Sequence, residues 1–524
     1  MELQESLVEY GFRRIIITLT AVLCALLEIV DTTIVNVALN DMRGNLGGTL
    51  SEVSWVITAY AIGNVIVVPM TSWLSQQFGR RNYFAASIMI FTIASFLCGQ
   101  ANNIWELVFF RLIQGFGGGA LLVTAQTLIT ESYPPEKRGI AQAIYGLGVI
   151  VGPTLGPPLG GYIVDNYSWP FIFYINIPLG VIATLLTLEF VRSPKFANKK
   201  AANEIDWWGI VFLATAVGSL QFVLERGQEE DWFNNGHIVL FTVTAFLGFY
   251  FFIWRELTYK NPIVNLRVLK NSNLRVGTIL SFILGFGLYG STFIIPLYTQ
   301  ATLGWTATQS GMLMVPAAIV TAMMMPIVGQ LIQRGVKQQY LVAIGMLFFF
   351  IYSLWGYKIL TPDTGSDAFF NMLIVRGIGL GLLFVPITTL ALSTLKGSEI
   401  GEGAAFTGMM RQLGGSFGVA VITTFIAREN MVHRSDLVSK LDINSPVVQQ
   451  RLQGLKQSFM AKGMSADQAL KSGYQILDFT VAKQAIVLSY MDVFLYLGLM
   501  FLICIPFVLW TRSGKNKIDA SAMH

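Results

Sequence analysis

Two acidic residues lie in an apolar stretch near the start of the chain, where a charge is costly unless it has a task. Glu28 and Asp31 are followed by Thr32 and Asn36 among Leu, Ile, Val and Ala residues. The spacing i, i+3, i+4 and i+8 places the four side chains on one face of a helix. A carboxylate in a dry cavity is neutral when isolated and ionised when a cation lies beside it. The stripe is therefore a candidate site for binding and releasing a proton.

Arg111 and Gln114 provide the expected partner for this stripe. They share a face of the apolar segment at 105–129, which runs antiparallel to the segment with Glu28 and Asp31. Asp31 and Arg111 both lie about 10 Å from the outer end of their helices, at 1.5 Å per residue, so they could meet. Two interpretations remain open for Asp31: a proton-exchanging site, or a permanent structural ion pair with Arg111. For Glu28, a functional and a structural role are equally open.

Two more arginines lie in later apolar segments. Arg376 matches the depth of Arg111, and we expect it to be the corresponding cavity arginine of a second half. Arg411 lies nearer the inner side, where a structural salt bridge with Glu399 or Glu402 is as compatible with the sequence as a functional role. Intramembrane charges generally face the bundle interior and have partners.

Glu225 and Asp492 differ from these residues in their position. Both lie close to the outer surface in the topology given below. We expect water to hydrate them and assign them no role.

A glycine-rich stretch from Gly146 to Gly161 provides the clearest mechanical signal. Four glycines recur at four-residue intervals, interrupted by prolines: Gly148, Gly152, Gly156, Gly160, Pro153, Pro157 and Pro158. In water each such glycine would cost about 1 kcal/mol and each proline about 3 kcal/mol of helix stability. A bilayer offers the backbone no other partner, so the helix persists there and its glycine face admits close packing. The stretch predicts either a tight seal between two moving halves, which limits proton leak, or ordinary small-residue packing.

Composition identifies the class of protein. Of 524 residues, 54% are hydrophobic and 12% are charged, whereas soluble domains carry about 25% charged residues. We therefore predict an all-α polytopic membrane protein. Basic residues in short loops give no reason to expect nucleic-acid binding, and the three cysteines in apolar stretches argue against a disulfide or a metal cluster. His237, His433 and His524 lie in polar segments, so no intramembrane histidine is expected to carry protons.

Hydropathy predicts fourteen spans with both termini in the cytoplasm. The approximate limits are 15–38, 53–74, 83–101, 105–129, 139–164, 169–191, 207–225, 237–254, 274–300, 309–332, 340–359, 368–394, 403–427 and 487–510. In this topology the short outer loops hold only Arg43, Arg226 and Lys358 as basic residues, which satisfies the positive-inside rule. The inner basic residues include Arg13, Arg14, Lys195, Lys199, Lys200, Arg512, Lys515 and Lys517. The N-terminal stretch is too long for a cleaved signal peptide and is expected to be the first span.

A weak internal repeat divides the chain in two. PMTSWLSQ, which begins at Pro69, matches PIVGQLIQ, which begins at Pro326, and the segment around Arg111 matches that around Arg376. Both pairs are eight spans apart. The repeat predicts an N-terminal six-helix bundle at 1–200, two inserted linker helices at 201–260, and a C-terminal six-helix bundle at 261–524. Such parallel repeats are typical of secondary transporters.

Together these stretches resemble the major facilitator superfamily, in particular its fourteen-helix drug:proton antiporters of the EmrB/QacA type. DTTIVNVAL at 31–39 resembles the first-helix signature, and Arg111 with Gln114, Gly115 and Gly117 the fourth-helix motif. The glycine-rich stretch resembles the fifth-helix antiporter motif through Gly148, Gly152, Pro153, Gly156, Pro157, Gly160 and Gly161. WPFIFYINIPLG at 169–180 and RQLGGSFG at 411–418 resemble the sixth- and thirteenth-helix signatures, the first with Pro170 where an arginine is common.

The loop between the second and third spans matches the family only in part. Leu74, Gly79, Arg80 and Arg81 match its gating motif, whereas Ser72 and Gln76 stand where the family has Gly and Asp. Without the Asp, the charge lock of that motif is in doubt.

The resemblance implies a proton-coupled multidrug efflux transporter in a bacterial inner membrane. It would expel small amphipathic, often cationic, compounds by alternating access, driven by the proton gradient, with no cofactor and no bound metal. Residues 428–486 form one long outer segment, in which Ser465 and Gln468 predict a helix-capping box. The segment is either a docking surface for a periplasmic adaptor protein, which would connect to an outer-membrane channel, or a mere lid.

Other function classes fit the sequence less well. A membrane enzyme is disfavoured because no nucleophile–base pairing or phosphate-binding loop is present. The repeat and the paired charges favour a closed cavity over a channel. A symporter fits poorly because the fifth-helix motif belongs to antiporters. The runner-up is a proton-coupled exporter of an endogenous lipid, siderophore or metabolite on the same scaffold.

Overall fold

The computed structural model describes residues 7–193, 205–442 and 444–510, and within these ranges the secondary structure is helical with no strand. The α-helices are α1 Gly11–Leu46, α2 Leu50–Phe78, α3 Arg80–Gly99, α4 Ile104–Ser132, α5 Arg138–Asn166, α6 Phe171–Tyr174, α7 Asn176–Phe190, α8 Trp207–Arg226, α9 Gly236–Thr258, α10 Ser272–Ala301, α11 Ala307–Gln333, α12 Gln338–Ile359, α13 Ser366–Leu392, α14 Ser398–Ser439, α15 Pro446–Ala461 and α16 Ala466–Trp510. The all-α prediction is confirmed.

Thirteen helices in the described ranges are long and apolar enough to cross a membrane, with α6 and α7 counted as one. The predicted span at 403–427 lies within α14, which is 42 residues long. Arg411, Gln412 and several glycines lower the hydropathy of α14. Length and composition therefore identify thirteen of the fourteen predicted spans.

The helices form two groups that we call the first bundle (α1–α7) and the second bundle (α10–α16). In the first, α1 packs on α4, α5 and α7, and α2 on α4; in the second, α10 packs on α14, and α12 on α13 and α16. The bundles meet where α5 contacts α11 and α13 and where α2 and α4 contact α14. The inserted helices α8 and α9 pack on each other, and α8 also contacts α2 and α14.

The glycine series of α5 packs against α1, within the first bundle. A Cβ at Gly148 would lie 3.5 Å from the Cβ of Ala25, and one at Gly152 would lie 2.6 Å from Cγ2 of Ile29. Gly156 is likewise covered by Thr33, and Gly160 by Ile34. The expectation that this series seals one half against the other is therefore wrong, because the neighbour across it belongs to the same bundle.

A different face of α5 meets the second bundle. A Cβ at Gly139 would lie 3.2 Å from the carbonyl oxygen of Gly329 on α11, and one at Gly146 would lie 2.8 Å from both Met325 and Phe384. Gly161, the last glycine of the predicted motif, faces Thr308 of α11. The helix thus has two close-packed faces, and the one with irregular spacing forms the contact between bundles.

The segment predicted to lie outside the membrane, at 428–486, consists of helices that continue from the predicted spans. α14 extends to Ser439, α15 follows, and α16 runs without a break from Ala466 to Trp510 over 45 residues. About 20 residues suffice to cross a bilayer, so both helices project well beyond it. The predicted capping box is present: the Ser465 amide donates to Gln468 Oε1 at 3.3 Å, and the Gln468 amide to Ser465 Oγ at 3.4 Å.

Some of the predicted features lie outside the described residues. These are both chain ends, at 1–6 and 511–524, and the basic residues Lys195, Lys199, Lys200, Arg512, Lys515 and Lys517.

Candidate functional site: a buried charge network at the bundle centre

Asp31 and Arg111 meet as their depths predict. Arg111 Nη1 lies 2.6 Å from Asp31 Oδ2, and neither side chain is more than 1% exposed. Gln114 Nε2 donates to the other carboxylate oxygen at 2.8 Å, and its Oε1 accepts from Arg111 Nη1 at 2.8 Å. The three residues form a closed set of hydrogen bonds between α1 and α4.

A second amide, the third donor residue, completes the coordination of Asp31. Asn176 Nδ2 donates to Asp31 Oδ1 at 2.7 Å and to Ser95 Oγ at 3.0 Å. The guanidinium of Arg111 also donates through Nε to the Val56 carbonyl at 3.2 Å and lies 4.1 Å from the Tyr60 ring centre. Each Asp31 oxygen is thus held by donors from neighbouring helices, so this pair has the coordination of a structural ion pair.

Glu28, one turn before Asp31, has a different environment. Its side chain is buried, and its Oε1 accepts from Asn64 Nδ2 of α2 at 2.9 Å. No cationic nitrogen among the described residues lies within 4.0 Å of it. A carboxylate with one neutral donor can take up a proton without stranding a buried cation, which Asp31 cannot do.

Arg411 approaches the same region from the second bundle. Its Nη2 donates to the Tyr145 hydroxyl of α5 at 3.2 Å, and its guanidinium lies 5.3 Å from the Phe384 ring centre. Its Nη1 is buried without a hydrogen-bond partner among the described residues. Glu28 lies within electrostatic range of this guanidinium. Arg411 is thus a buried cation that touches the first bundle and has no carboxylate oxygen within 4.0 Å among the described residues.

The proposed salt bridge of Arg411 with Glu399 or Glu402 is not formed. The Glu399 carboxylate accepts from the amide of Lys396 at 3.4 Å, and Glu402 Oε2 accepts from Asn265 Nδ2 at 3.1 Å. Both acids lie in the first turns of α14, about three turns before Arg411. That separation along the helix prevents either from reaching the guanidinium.

Arg376 occupies the matching position in the second bundle, with different partners. It is buried, and it donates through Nε to Ser291 Oγ at 2.9 Å and through Nη2 to Thr292 Oγ1 at 2.6 Å. Both hydroxyls lie on α10, as Asp31 lies on α1. Asn36, the last member of the predicted stripe, is exposed, so the stripe is buried only in part.

The loop predicted to gate, between α2 and α3, has a buried salt bridge although the Asp of the family motif is missing. Arg80 forms a two-point salt bridge with Glu131 of α4, whose second contact, from Nη2 to Oε1, is 3.1 Å, and both side chains are buried. Gly79 has φ 80°, a conformation that favours glycine,. Leu74 is partly buried and Arg81 is exposed. Glu131 was missed by sequence reasoning because it lies at the end of a span, where an acid is unremarkable.

A group of metal-type ligands lies away from these residues, on the outer parts of α14 and α16. Glu429, His433 and Asp492 place one ligand atom each within 4.8 Å of one another. His433 Nε2 lies 2.7 Å from Asp492 Oδ2, so Asp492 is paired where we expected a hydrated residue. Both side chains are about a quarter exposed, and a histidine–carboxylate pair explains the arrangement without a metal.

Sequence reasoning missed the amides that hold the carboxylates. Asn64 and Asn176 are neutral residues in apolar segments, so a search for charges passes over them. Tyr145 was missed because its aromatic ring fits an apolar span equally well. The position of Asn176 within WPFIFYINIPLG was the available signal.

Comparison with known proteins gives one consistent result. The model of the Major Facilitator Superfamily matches residues 21–419. The chain is 34% identical over 508 residues to "Multidrug export protein EmrB" of Escherichia coli (strain K12), covering 96% of each protein. It is also 34% identical to "Fatty acid resistance protein FarB" of Neisseria gonorrhoeae, covering 94% of this chain and 95% of that protein.

A more distant relative and a solved structure agree. The chain is 28% identical to "Colistin resistance protein EmrB" of Acinetobacter baumannii over 94% of each. The crystal structure of the human organic anion transporter MFSD10 (TETRAN) matches with a TM-score of 0.56 and 13% identity, covering 94% of this chain and 100% of that one. At that identity the match supports the fold alone.

Proposed function

The chain belongs to the Major Facilitator Superfamily, to its EmrB/QacA-type drug exporters, and we propose that it exchanges amphipathic compounds for protons by alternating access. It is a multi-pass membrane protein and a multidrug efflux transporter. Its relatives are named for multidrug export and for resistance to fatty acids and colistin. The proton coupling and the residues that carry it are the proposal.

Glu28 is the residue that we assign to proton exchange. The supporting observation is the contrast with Asp31, three residues away on the same helix. Asp31 is held by Arg111, Gln114 and Asn176, so a proton there would leave a buried arginine without its counter-ion. Among the described residues Glu28 accepts from the Asn64 amide and has the Tyr60 hydroxyl near it, both neutral groups, so it can change charge at lower cost.

Arg411 would convert that charge change into motion. Ionised Glu28 on α1 attracts the guanidinium on α14, which already contacts Tyr145 of the first bundle. This attraction favours close approach of the bundles at their centre. A proton on Glu28 removes the attraction and frees the bundles to rock apart, as alternating access requires. A cationic substrate beside Glu28 would compete with the proton for the carboxylate. Because the two would bind alternately, the proton would be exchanged for the substrate, as antiport requires.

The topology completes the proposal. Fourteen spans with both termini in the cytoplasm would give two six-helix bundles, at 1–200 and 261–524, joined by the inserted helices at 201–260. The protein would lie in a bacterial inner membrane and draw on the proton gradient, without a cofactor. The helices that project from the outer side, at about 428–486, are the surface on which a periplasmic adaptor and an outer-membrane channel would assemble.

Export of an endogenous lipid or metabolite is the second candidate function. A relative that is 34% identical to the chain is named for fatty acid resistance. Arg411 is a buried cation with no carboxylate within 4.0 Å in the described part of the chain. An anionic head group would find a counter-ion there.

Dye efflux from everted vesicles tests the proposal. The wild type should transport while a pH gradient exists and stop when an ionophore collapses the gradient. Glu28→Gln should lose pH-dependent efflux, and Glu28→Asp should retain part of it. Transport that persists without a gradient, or undiminished pH-coupled efflux by Glu28→Gln, would overturn the assignment.

A further inference from the structure

A second membrane carboxylate without a cation lies on the inserted helix α8. Glu225 occupies its last turn and is partly buried against α14. Its Oε1 accepts from Gln221 Nε2 at 2.8 Å and lies 3.4 Å from Ser416 Oγ. We expected this residue to be hydrated, but the structure places it at a helix–helix contact.

The neighbouring charges do not neutralise Glu225. Arg226 donates to Ser51 and Ser54 of α2. It also pairs with Glu229 and Glu230, which follow α8 in the chain. Glu229, one turn on, lies within electrostatic range and carries a charge of the same sign.

The helices packed around Glu225 also leave it without a cation. α14 presents the Ser416 hydroxyl, with Arg411 five residues before it. The residues of α9 that pack on the neighbouring Phe222 and Val223 are the apolar Ile238 and Phe241. No cationic nitrogen in the described part of the chain lies within 4.0 Å of the carboxylate. Glu225 is therefore a carboxylate without a cationic partner at the end of a membrane-type helix, where such an acid is a candidate functional site.

Gln221 supplies an acceptor for a proton at this site. Its Nε2 donates both to Glu225 and, at 2.8 Å, to Ser416 Oγ, so it ties α8 to α14. Gln221 is only 1% exposed, and its buried Oε1 has no hydrogen-bond partner among the described residues. If the amide turns over, this oxygen can accept from a protonated Glu225. The rearrangement satisfies the buried acceptor at the expense of the two donations from Nε2,.

We propose that Glu225 is a second proton-binding site, on the inserted helices, and that its protonation sets the hydrogen bonding between α8 and α14. The ionised carboxylate accepts from Gln221 and Ser416 and holds the two helices together. The neutral acid donates to Gln221 Oε1 instead, and the amide then loses its bond to Ser416. Because α14 also carries Arg411, a change in the hydrogen bonds between α8 and α14 couples the outer proton concentration to the site around Glu28 and Arg411. This inference rests on the proposed proton-coupled export.

Infrared difference spectroscopy of the purified, reconstituted protein tests proton binding directly. The background is Glu28→Gln, which removes the first proton site. On acidification this protein should still gain a carboxylic-acid C=O band, and adding Glu225→Gln should remove part of its amplitude. Glu230→Gln in the same background is the matched control, because that acid lies in the same turn region and is paired with Arg226. An amplitude that Glu225→Gln leaves unchanged overturns the site.

Transport at a constant pH difference tests the coupling. The pH on both sides is raised together, so the driving force stays fixed and only local protonation changes. The Glu225→Gln protein should depart from the wild-type profile at least threefold at the alkaline end, whereas Glu230→Gln should superimpose on it. Glu225→Asp, which keeps the acid, should restore the pH dependence if the amide variant folds poorly.

The outcomes separate this inference from the proposed function. A wild-type protein that ignores pH and its gradient overturns proton coupling and the role of Glu225 with it. A pH-dependent wild type with an indistinguishable Glu225→Gln profile overturns the role of Glu225 alone.

Discussion

Alanine substitutions along α5 test which of its glycine faces packs against which neighbour. At Gly148 an added Cβ would lie 3.5 Å from Ala25, an ordinary contact. At Gly156 it would overlap the Thr33 side chain and lie 3.1 Å from the Ile34 amide nitrogen. Thr33 cannot easily give way, because it is β-branched and its hydroxyl bonds the carbonyls of Ile29 and Val30,.

The magnitude follows from two opposing terms. Gly→Ala stabilises a helix interior by up to about 1 kcal/mol, and overpacking costs about 1–3 kcal/mol. Both sites lie in α5, so the propensity gain cancels between them. Gly156→Ala should therefore be about 1–3 kcal/mol less stable than Gly148→Ala, which is the overpacking term alone.

Thermal denaturation of the solubilised protein, followed by size-exclusion chromatography, measures the difference. Gly148→Ala should melt at or above the wild-type temperature and Gly156→Ala below it. Gly146→Ala, on the face toward Met325 and Phe384, should instead slow dye efflux more than it lowers stability, because it disturbs the contact between bundles. Equal melting of the Gly148 and Gly156 variants would refute the packing argument.

The ion pairs and the central hydroxyl give three further predictions. Asp31→Asn should cost about 3–5 kcal/mol by leaving Arg111 buried and unpaired, and its melting temperature should recover in part when Arg111→Met is added. Glu131→Gln should loosen the inner side of the first bundle, so that a cysteine introduced near Arg80 reacts faster with a water-soluble maleimide; an unchanged rate would argue against the lock. Tyr145→Phe removes the hydroxyl that holds Arg411, so that the guanidinium is free to attract the Glu28 carboxylate more strongly. Because this attraction favours ionised Glu28, the pH profile of efflux should move to lower pH.

The charged centre could be anticipated because charge in a bilayer is costly. Asp31 and Arg111 are each conspicuous in an apolar segment, and their equal depths imply contact. Asn64 and Asn176 are not conspicuous, because a neutral amide costs too little to stand out from packing. The sequence therefore predicts which ions meet but does not show how completely each carboxylate is coordinated. That coordination is the reason for assigning the proposed proton exchange to Glu28 and not to Asp31.

The glycine series shows a second limit. A four-residue spacing defines one face of α5 but carries no information about the helix that covers it. Gly139, Gly146 and Gly161 form the contact between bundles without regular spacing, since α11 and α13 cross α5 only at particular points. The helical continuation of α14 and α16 into the segment at 428–486 could not be predicted for a related reason. Its polarity indicates that it lies outside the bilayer, but polarity does not separate a loop from a helix that has left the membrane.

Glu28 and Asp31 lie three residues apart on one helix, so the different roles that we propose for them must come from their neighbours. The neighbours of Asp31 all belong to the first bundle, and rocking of that bundle as a rigid body leaves every bond to Asp31 intact. Glu28 differs because Arg411, the cation within its range, is carried by the second bundle. Its electrostatic environment therefore changes whenever the bundles move. A group whose affinity for protons depends on conformation must, by linkage, bias conformation when it binds a proton.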